Sequence, residues 1–223
     1  MNAILYLLKT GCQWRMIPKD FAPWESVYYY FSKWKNEGII EELFDNIRSQ
    51  VRTISGLEKS PSLGIIDSRC VKTSHHVDYD RGLDGNKKVK GRKQHIVVDT
   101  QGNLMAIAVH KANVHDSKGA PEVIENLSYK FPRLAKILAD GGYRGNLADW
   151  VFDKFGWELE IVLRSNEGPS KFKVIPKRWI VERSFAWLEN SRSLTIDYEY
   201  HADTAVTMVQ LAFCKIMLNK FIG

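Results

Sequence analysis

Cysteine is scarce in this sequence, and no Cys-x-x-Cys or Cys/His spacing that would hold a structural zinc ion occurs. The three cysteines, Cys12, Cys70 and Cys214, are widely scattered, which is typical of proteins from a reducing cytoplasm. A signal-peptide pattern is absent, and polar and charged residues interrupt the most apolar late segment, 205–222. We therefore expect a cytoplasmic protein that has no membrane partner.

Internal repeats and low-complexity segments are also missing, and the chain is instead rich in apolar and basic residues. Hydrophobic residues make up 44% of the 223 positions and seven residues are tryptophan, which favours a packed core over disorder. This length suits one ordinary domain with a small appendage. The formal net charge of +6 predicts a polyanionic partner, and a merely basic soluble protein is the alternative.

The first 52 residues predict three short helices, because apolar residues recur there at helical spacing. Such a group is compatible with a helix-turn-helix DNA reader and equally with a plain helical support. A linker at 55–62, which contains glycine and proline, follows this part of the chain. We predict a helical DNA-binding region at 1–54 and a separate catalytic domain at 63–223.

The pattern beyond the linker predicts a mixed α/β domain. Strands are predicted at 63–71, 94–100, 104–110, 136–139 and 158–164, with helices around 118–127, 146–155, 178–192 and 205–222. Residues 72–93 read as a long polar loop. This order favours a mixed sheet, three antiparallel strands and then parallel strands, flanked by helices.

Three carboxylates occupy settings in which an acidic residue needs an explanation. Asp67 interrupts an apolar strand, Asp140 ends another, and Glu182 lies within a predicted helix. Three converging carboxylates would repel one another, and a divalent metal would relieve that repulsion. Each also has an ordinary alternative role, at a strand end, at a turn, or in a pair with Arg178 one helical turn away. Together they predict metal-dependent phosphoryl transfer.

Six separated segments carry further motifs, in one order along nearly the whole chain. They are LKTGCQWRMIP (8–18), WESVYYYF (24–31), IIDS (65–68), KVKGRKQH (88–95), ADGGYRG (139–145) and RWIVERSFAWL (178–188). These segments resemble the DDE transposases of bacterial insertion sequences, in the insertion-element-five group. The resemblance implies a ribonuclease-H-like core, in which Asp67, Asp140 and Glu182 are catalytic and hold two Mg²⁺ ions, with Mn²⁺ able to substitute.

The activity implied by this resemblance is that of an enzyme that cuts and joins DNA. It would bind the ends of its insertion sequence, hydrolyse a phosphodiester and use the freed 3′-hydroxyl to attack target DNA. The implied partner is double-stranded DNA, with a homodimer on the DNA and a nucleoid-associated location. The alternatives are a non-transposing nuclease of the same fold, and an inactive or truncated copy that only binds DNA.

The start of the chain differs from the family pattern. Family members usually carry a few tens of residues before the segment that matches 1–6, so an N-terminally short copy is expected. The apolar face of the first helix would then lack its partner. That face carries Ile4, Leu5, Leu7 and Leu8, and we expect it to be bare and the N-terminal region to be loosened.

Two basic clusters complete the sequence-based site. The run 87–93 places five cations in seven residues: Lys87, Lys88, Lys90, Arg92 and Lys93. We predict that they contact DNA phosphates, which position a duplex without reading its bases; the alternative is a solvated hairpin edge. The second cluster, near Glu182, contains Lys171, Lys173, Lys177 and Arg178, with Arg183 close by. Arg178 and Arg183 are also predicted to bind DNA.

Overall fold

Six strands form one mixed sheet in the computed structural model, which describes residues 1–77, 79–162 and 177–222. The strands are β1 Leu63–Lys72, β2 Gly82–Asp84, β3 Val89–Val98, β4 Leu104–Lys111, β5 Lys136–Ala139 and β6 Glu158–Ile161. β3 pairs antiparallel with β1 on one side and with β4 and β2 on the other, whereas β1, β5 and β6 are parallel. The predicted ribonuclease-H-like order of antiparallel and then parallel strands is confirmed.

The predicted loop at 72–93 is wrong, because β2 and the first part of β3 form a hairpin there. Gly91 lets this part of β3 also pair with β1: a Cβ added at this position would lie only 2.0 Å from the carbonyl oxygen of Val71 on β1. The absence of a side chain therefore lets a highly charged segment continue as a strand against its neighbour.

The helices cover both faces of the sheet. They are α1 Asn2–Thr10, α2 Trp24–Asn36, α3 Ile39–Ile54, α4 Asp116–Ser128, α5 Leu147–Phe155, α6 Trp179–Glu189 and α7 Ala202–Ile222. Successive strand residues point to opposite faces. Ile65 and Ile96 face a core formed with α1, α3, α6 and α7, whereas Ile66 and Val97 face a second core formed with α4 and α5. Among the described helices, none has the length and apolar character that crossing a membrane requires.

The N-terminal helices share the first of these two cores. Ile4, Leu7 and Leu8 are buried there together with α7 residues such as Phe213. The expected bare face on the first helix is therefore wrong, because α7 and the turn after α6 cover it. Ser193 in that turn also donates a hydrogen bond from Oγ to the carbonyl oxygen of Leu8, 2.9 Å away.

Candidate active site

Two of the predicted catalytic acids lie side by side because their strands are parallel. Ile65 of β1 pairs with Leu138 of β5, and two residues farther along each strand the chain reaches Asp67 and Asp140. Glu182 comes from the first turn of α6, a helix that packs on β1 and β3. The sheet register and this helix thus direct all three acids to one edge.

A single guanidinium nitrogen lies among the three carboxylates. Nη2 of Arg178 is 3.7 Å from Asp67 Oδ2, 3.4 Å from Asp140 Oδ2 and 3.4 Å from Glu182 Oε1. Charge-assisted hydrogen bonds normally span about 2.7–2.9 Å, so these contacts are long. Nε of the same side chain is buried and has no hydrogen-bond partner within the described part of the chain. The three acids therefore converge on one cation that is only loosely held.

Asp67 has a strongly perturbed pKa. Burial raises its pKa from 3.8 to about 6, and the nearby Asp140 and Glu182 carboxylates act in the same direction. A hydrogen bond from the Ser68 N–H and the charge of Arg178 oppose this rise. A further cation at this place would let all three acids ionise together, which is the electrostatic condition for metal binding.

Main-chain groups fix the two aspartates. The N–H of Ser68 donates to Asp67 Oδ1 at 2.7 Å, and the N–H of Gly142 donates to Asp140 Oδ1 at 2.8 Å. In both residues the other oxygen, Oδ2, faces Arg178. Each aspartate thus has one oxygen held by the backbone and one directed into the site.

The carboxylate oxygens of the three acids are chemically suited to Mg²⁺, but they do not lie at metal-binding spacing in this structure. Carboxylate oxygens are the ligands that Mg²⁺ prefers, at about 2.0–2.1 Å. Among the residues described here, no group of three or more acidic, histidine or cysteine side chains lies at metal-binding spacing. The oxygens surround a guanidinium nitrogen at 3.4–3.7 Å, so Arg178 must withdraw before they can close on a metal ion.

A fourth acid, Asp116 at the start of α4, lies beside the site and was missed by the sequence prediction. Its Oδ1 accepts a hydrogen bond from Ser68 Oγ at 2.8 Å, and Lys93 Nζ lies 3.0 Å from the same oxygen. A Cβ added at Gly142 would lie 3.0 Å from both Asp116 Oδ2 and Asp140 Oδ1. An acid in the first turn of a helix is an ordinary partner of the helix dipole, so the sequence carried no signal that would single it out.

The basic run at 87–93 separates into an exposed part and a buried part. Lys87, Lys88 and Lys90 are exposed at or next to the tip of the β2–β3 hairpin. Arg92 and Lys93 are buried, at 0% and 7% exposure. The prediction that these last two contact DNA is therefore corrected, because their charged groups are directed into the protein.

The partners of the two buried cations lie far away along the chain. Arg92 donates to the Asp197 carboxylate at 3.0 Å and to the carbonyl oxygens of Tyr79, Asp80, Glu199 and Tyr200 at 2.7–3.4 Å. Lys93 Nζ donates to the Val114 carbonyl oxygen at 2.6 Å, in addition to its contact with Asp116. Both side chains connect separate segments of the protein.

The second basic cluster is described only in part, since Lys171 and Lys173 lie outside the described residues. Arg183 is half-buried between the rings of Trp179 and Trp187, with 4.5 and 4.6 Å from its guanidinium carbon to the ring centroids. It also donates to the Gln101 carbonyl oxygen at 3.2 Å. Lys177 is exposed immediately before α6.

Two family models match the chain. One is described as a transposase DDE domain and matches residues 58–217. The other is described as "Putative transposase of IS4/5 family" and matches residues 1–44.

Among curated proteins, a similar one is the "Putative transposase for insertion sequence element IS402" of Burkholderia cepacia. It is 31% identical over 139 residues, which are 58% of this chain and 64% of that protein. The match thus spans less than two thirds of the relative's length.

Similar solved structures include the synaptic complex of piggyBac transposase with hairpin DNA, with a TM-score of 0.43 at 10% identity over 73% of this chain and 48% of that one. The Mos1 transposase paired-end complex with the left transposon end has a TM-score of 0.36 at 9% identity, over 98% of this chain and 75% of that one. Because the DDE-domain model spans most of the sequence, the chain belongs to the DDE transposases of insertion sequences, as its six motifs predicted.

Proposed function

We propose that this chain cuts and joins DNA at the ends of an insertion sequence, with Asp67, Asp140 and Glu182 as its catalytic residues. The observation that carries the proposal is their convergence on one cation position, now taken by Arg178 Nη2. Membership of the DDE transposase family supports the same reading of these three acids.

The chain's own residues prepare the site for metal and DNA. Two Mg²⁺ ions, or Mn²⁺ in their place, would be held by the three acids and would activate the attacking oxygen and stabilise the leaving one. The Ser68 and Gly142 N–H groups keep Asp67 and Asp140 in fixed orientations, which limits the reorganisation needed when a cation is bound.

Arg178 has two successive roles in this proposal. Before DNA arrives it neutralises part of the charge of the three acids. With divalent cations held by the three acids, its guanidinium would be free to bind the nearby reacting phosphate. Arginine suits this second role because its planar fork matches phosphate oxygens.

The proposed DNA path runs from the carboxylates to the β2–β3 hairpin. Lys72, at the end of β1, pairs with Gly91 next to the hairpin, and it lies five positions along the strand from Asp67. At about 3.3 Å per residue this distance is roughly 17 Å, the length of about five base pairs. Lys87, Lys88 and Lys90 would hold phosphates there, whereas Arg178 and Arg183 would hold them near the cleavage point.

The helical region 1–54 would bind the element end in this proposal, with residues 63–223 as the catalytic domain. Two DNA ends must be cut and joined in one event, and each needs an active site. A homodimer on DNA is therefore part of the proposal.

Replacing Asp140 by Asn tests the proposed active site. We expect Asp140→Asn to abolish Mg²⁺-dependent cleavage of duplexes that carry the element ends, and to leave DNA binding unchanged or tighter because one negative charge is removed. Asp67→Asn and Glu182→Gln should behave alike. Asp153→Asn, an exposed position on α5, is the matched control. Joined products in a gel assay distinguish a transposase from a nuclease, and wild-type cleavage by Asp140→Asn would refute the assignment.

A further inference from the structure

A polar cluster lies beneath the carboxylate site and is made by three different elements. Ser68 comes from β1, Lys93 and His95 come from β3, and Asp116 comes from α4. Asp116 Oδ1 is the common centre: it accepts a hydrogen bond from Ser68 Oγ at 2.8 Å, and it lies 3.0 Å from Lys93 Nζ and 3.5 Å from His95 Nε2. The Lys93 side chain is only 9% exposed and that of His95 is fully buried.

This cluster touches both catalytic aspartates through their anchoring residues. Ser68 contacts Asp116 with its hydroxyl and Asp67 with its N–H. Gly142 holds Asp140 with its N–H, and the absence of a side chain at this glycine leaves the space that Asp116 Oδ2 and Asp140 Oδ1 approach. Asp116 therefore lies between β1 at Ser68 and the turn at Gly142, the two segments that orient the proposed ligands.

The ring of Tyr143 lies next to this cluster, and the pKa of its phenol reflects the negative charge around it. Burial raises the pKa of its phenol well above the usual value, and Asp67, Asp116 and Asp140 add to the rise. Its hydroxyl is buried without a hydrogen-bond partner among the described residues. Three carboxylates thus act on one buried hydroxyl, which places Asp116 within the electrostatic reach of the site.

The contact with Lys93 gives Asp116 a role different from that of Asp67, Asp140 and Glu182. A buried ammonium group needs a paired anion, and Asp116 supplies it. Burial by itself would raise the pKa of Asp116, but the contacts with His95, Lys93 and Ser68 outweigh that effect and lower it. Asp116 therefore stays ionised and neutralised, whereas Asp67 lacks a cation held at hydrogen-bond distance.

We propose that the Lys93–Asp116 pair is a positioning device that sets the gap between Asp67 and Asp140, and thereby the affinity of the site for divalent cations. It acts through Ser68 on one side and through the turn at Gly142 on the other. The inference rests on the proposed function, since it assumes that Asp67 and Asp140 bind the metal.

The test is Mn²⁺ binding to the full chain without DNA, measured by calorimetry, together with urea unfolding in EDTA. Asp116→Asn keeps the shape of the side chain and removes its charge. Ser68→Ala keeps the ion pair and removes its link to β1. The double variant Lys93→Met/Asp116→Leu replaces the buried pair by apolar side chains of similar size, which commonly restores stability.

We expect Asp116→Asn to weaken Mn²⁺ binding by about tenfold, the loss typical of residues that orient metal ligands. Ser68→Ala should weaken it less, and the double variant should recover stability without recovering the affinity. The control is Lys154→Met/Glu125→Leu, which removes an exposed pair between α5 and α4. It should bind Mn²⁺ as the wild type does.

Recovery of both stability and Mn²⁺ affinity in the double variant would overturn the proposal and leave a merely structural ion pair. Wild-type affinity in Ser68→Ala and Asp116→Asn would do the same. If Asp116→Asn does not fold, the other two variants decide. Asp67→Asn and Asp140→Asn are measured alongside: if neither weakens Mn²⁺ binding, the proposed metal site itself fails, and the inference fails with it.

Discussion

Arg92 and Arg178 belong to the arginines that are buried against acidic side chains, and they are held in opposite ways. Arg92 is fully buried, and its guanidinium donates to the Asp197 carboxylate and to main-chain carbonyl oxygens at 2.7–3.4 Å. Arg178 faces three carboxylates, all at 3.4 Å or more, and its Nε has no partner within the described ranges. The guanidinium of Arg92 has several hydrogen-bond acceptors, one of which is a carboxylate. The guanidinium of Arg178 lies near three carboxylates, all at long distances.

The difference separates a structural cation from a replaceable one. A buried charge whose donors are satisfied is costly to remove, because its partners are left without compensation. A cation that lies at long distances from several acids stabilises them through its charge and not through well-formed hydrogen bonds. Another cation can therefore take its place. Hydrogen-bond completeness, and not burial, therefore identifies which of the two arginines can take part in function.

Removing Arg92 should have the largest effect on stability. Arg92→Met removes the donor to Asp197 Oδ2 and to several carbonyl oxygens, and we expect a loss on the order of 3–5 kcal/mol in the free energy of unfolding. Arg178→Met makes the same chemical change at the other site. Arg178→Met should lower the free energy of unfolding by clearly less, because the side chains of Glu182 and Asp140 are 56% and 29% exposed and can be hydrated. Urea unfolding in EDTA measures both, and equal losses would break the comparison.

Asp67, next to Arg178, should make the stability of the protein depend on pH. The pKa of Asp67 is raised from 3.8 to about 6 in the folded protein, so the folded state binds its proton more tightly than the unfolded state. Stability is then lost as pH rises from about 4 to 6 and stays lost above that range. Asp67→Asn removes this cost, so in EDTA it should be more stable than the wild type at pH 7, by at most about 3 kcal/mol.

The stability difference between Asp67→Asn and the wild type should disappear below pH 4, where Asp67 is protonated in both states. Unfolding curves at pH 3.5, 5, 6 and 7.5 give the profile. A difference that does not change with pH would show that the carboxyl group of Asp67 does not titrate in this window.

Neutralising Arg178 should make metal binding easier. With Arg178→Gln no cation has to leave before a divalent ion enters, so Mn²⁺ affinity without DNA should rise by about tenfold, or roughly 1.4 kcal/mol. Arg183→Gln is the control, since it lies one turn along the same helix between two tryptophan rings. A similar gain in the control would indicate a general charge effect instead of competition for one position.

The exposed cations of the hairpin extend the comparison to groups that have no buried partner. Replacing Lys87, Lys88 and Lys90 by Ala should change the unfolding free energy by less than about 0.5 kcal/mol. The slope of log affinity against log salt should fall by about 0.9 for every phosphate that the protein no longer neutralises, equally for all DNA sequences. Lys154→Ala is the control, and an unchanged slope in the triple variant would leave the hairpin as a solvated edge.

The sequence predicted the structure best where the signal lies within a few neighbouring residues. The strand at 136–139 was predicted with its observed bounds, and the settings of Asp67, Asp140 and Glu182 predicted that they would meet. Such signals depend on an apolar run ending at an acid, which can be read within a few residues.

The failures concern partners that lie far apart in the sequence. Arg92 and Lys90 look alike within one basic run, yet Arg92 pairs with an acid that lies 105 residues away in the sequence, whereas Lys90 is exposed. The face of the first helix looked bare for the same reason, since its cover comes from α7 at the other end of the chain. Periodicity and local charge carry no information about such pairs.

The long connection between Arg92 and Asp197 bears on how the protein is made. A ribosome adds about 5–20 residues per second, so roughly 5–20 seconds pass between the synthesis of Arg92 and that of its acid. During that interval the nascent β3 carries a guanidinium whose carboxylate partner has not yet been made. We expect the protein to reach its folded state only once α7 is synthesised. A gene copy interrupted before codon 197 should therefore yield a product that is degraded, not a DNA-binding fragment.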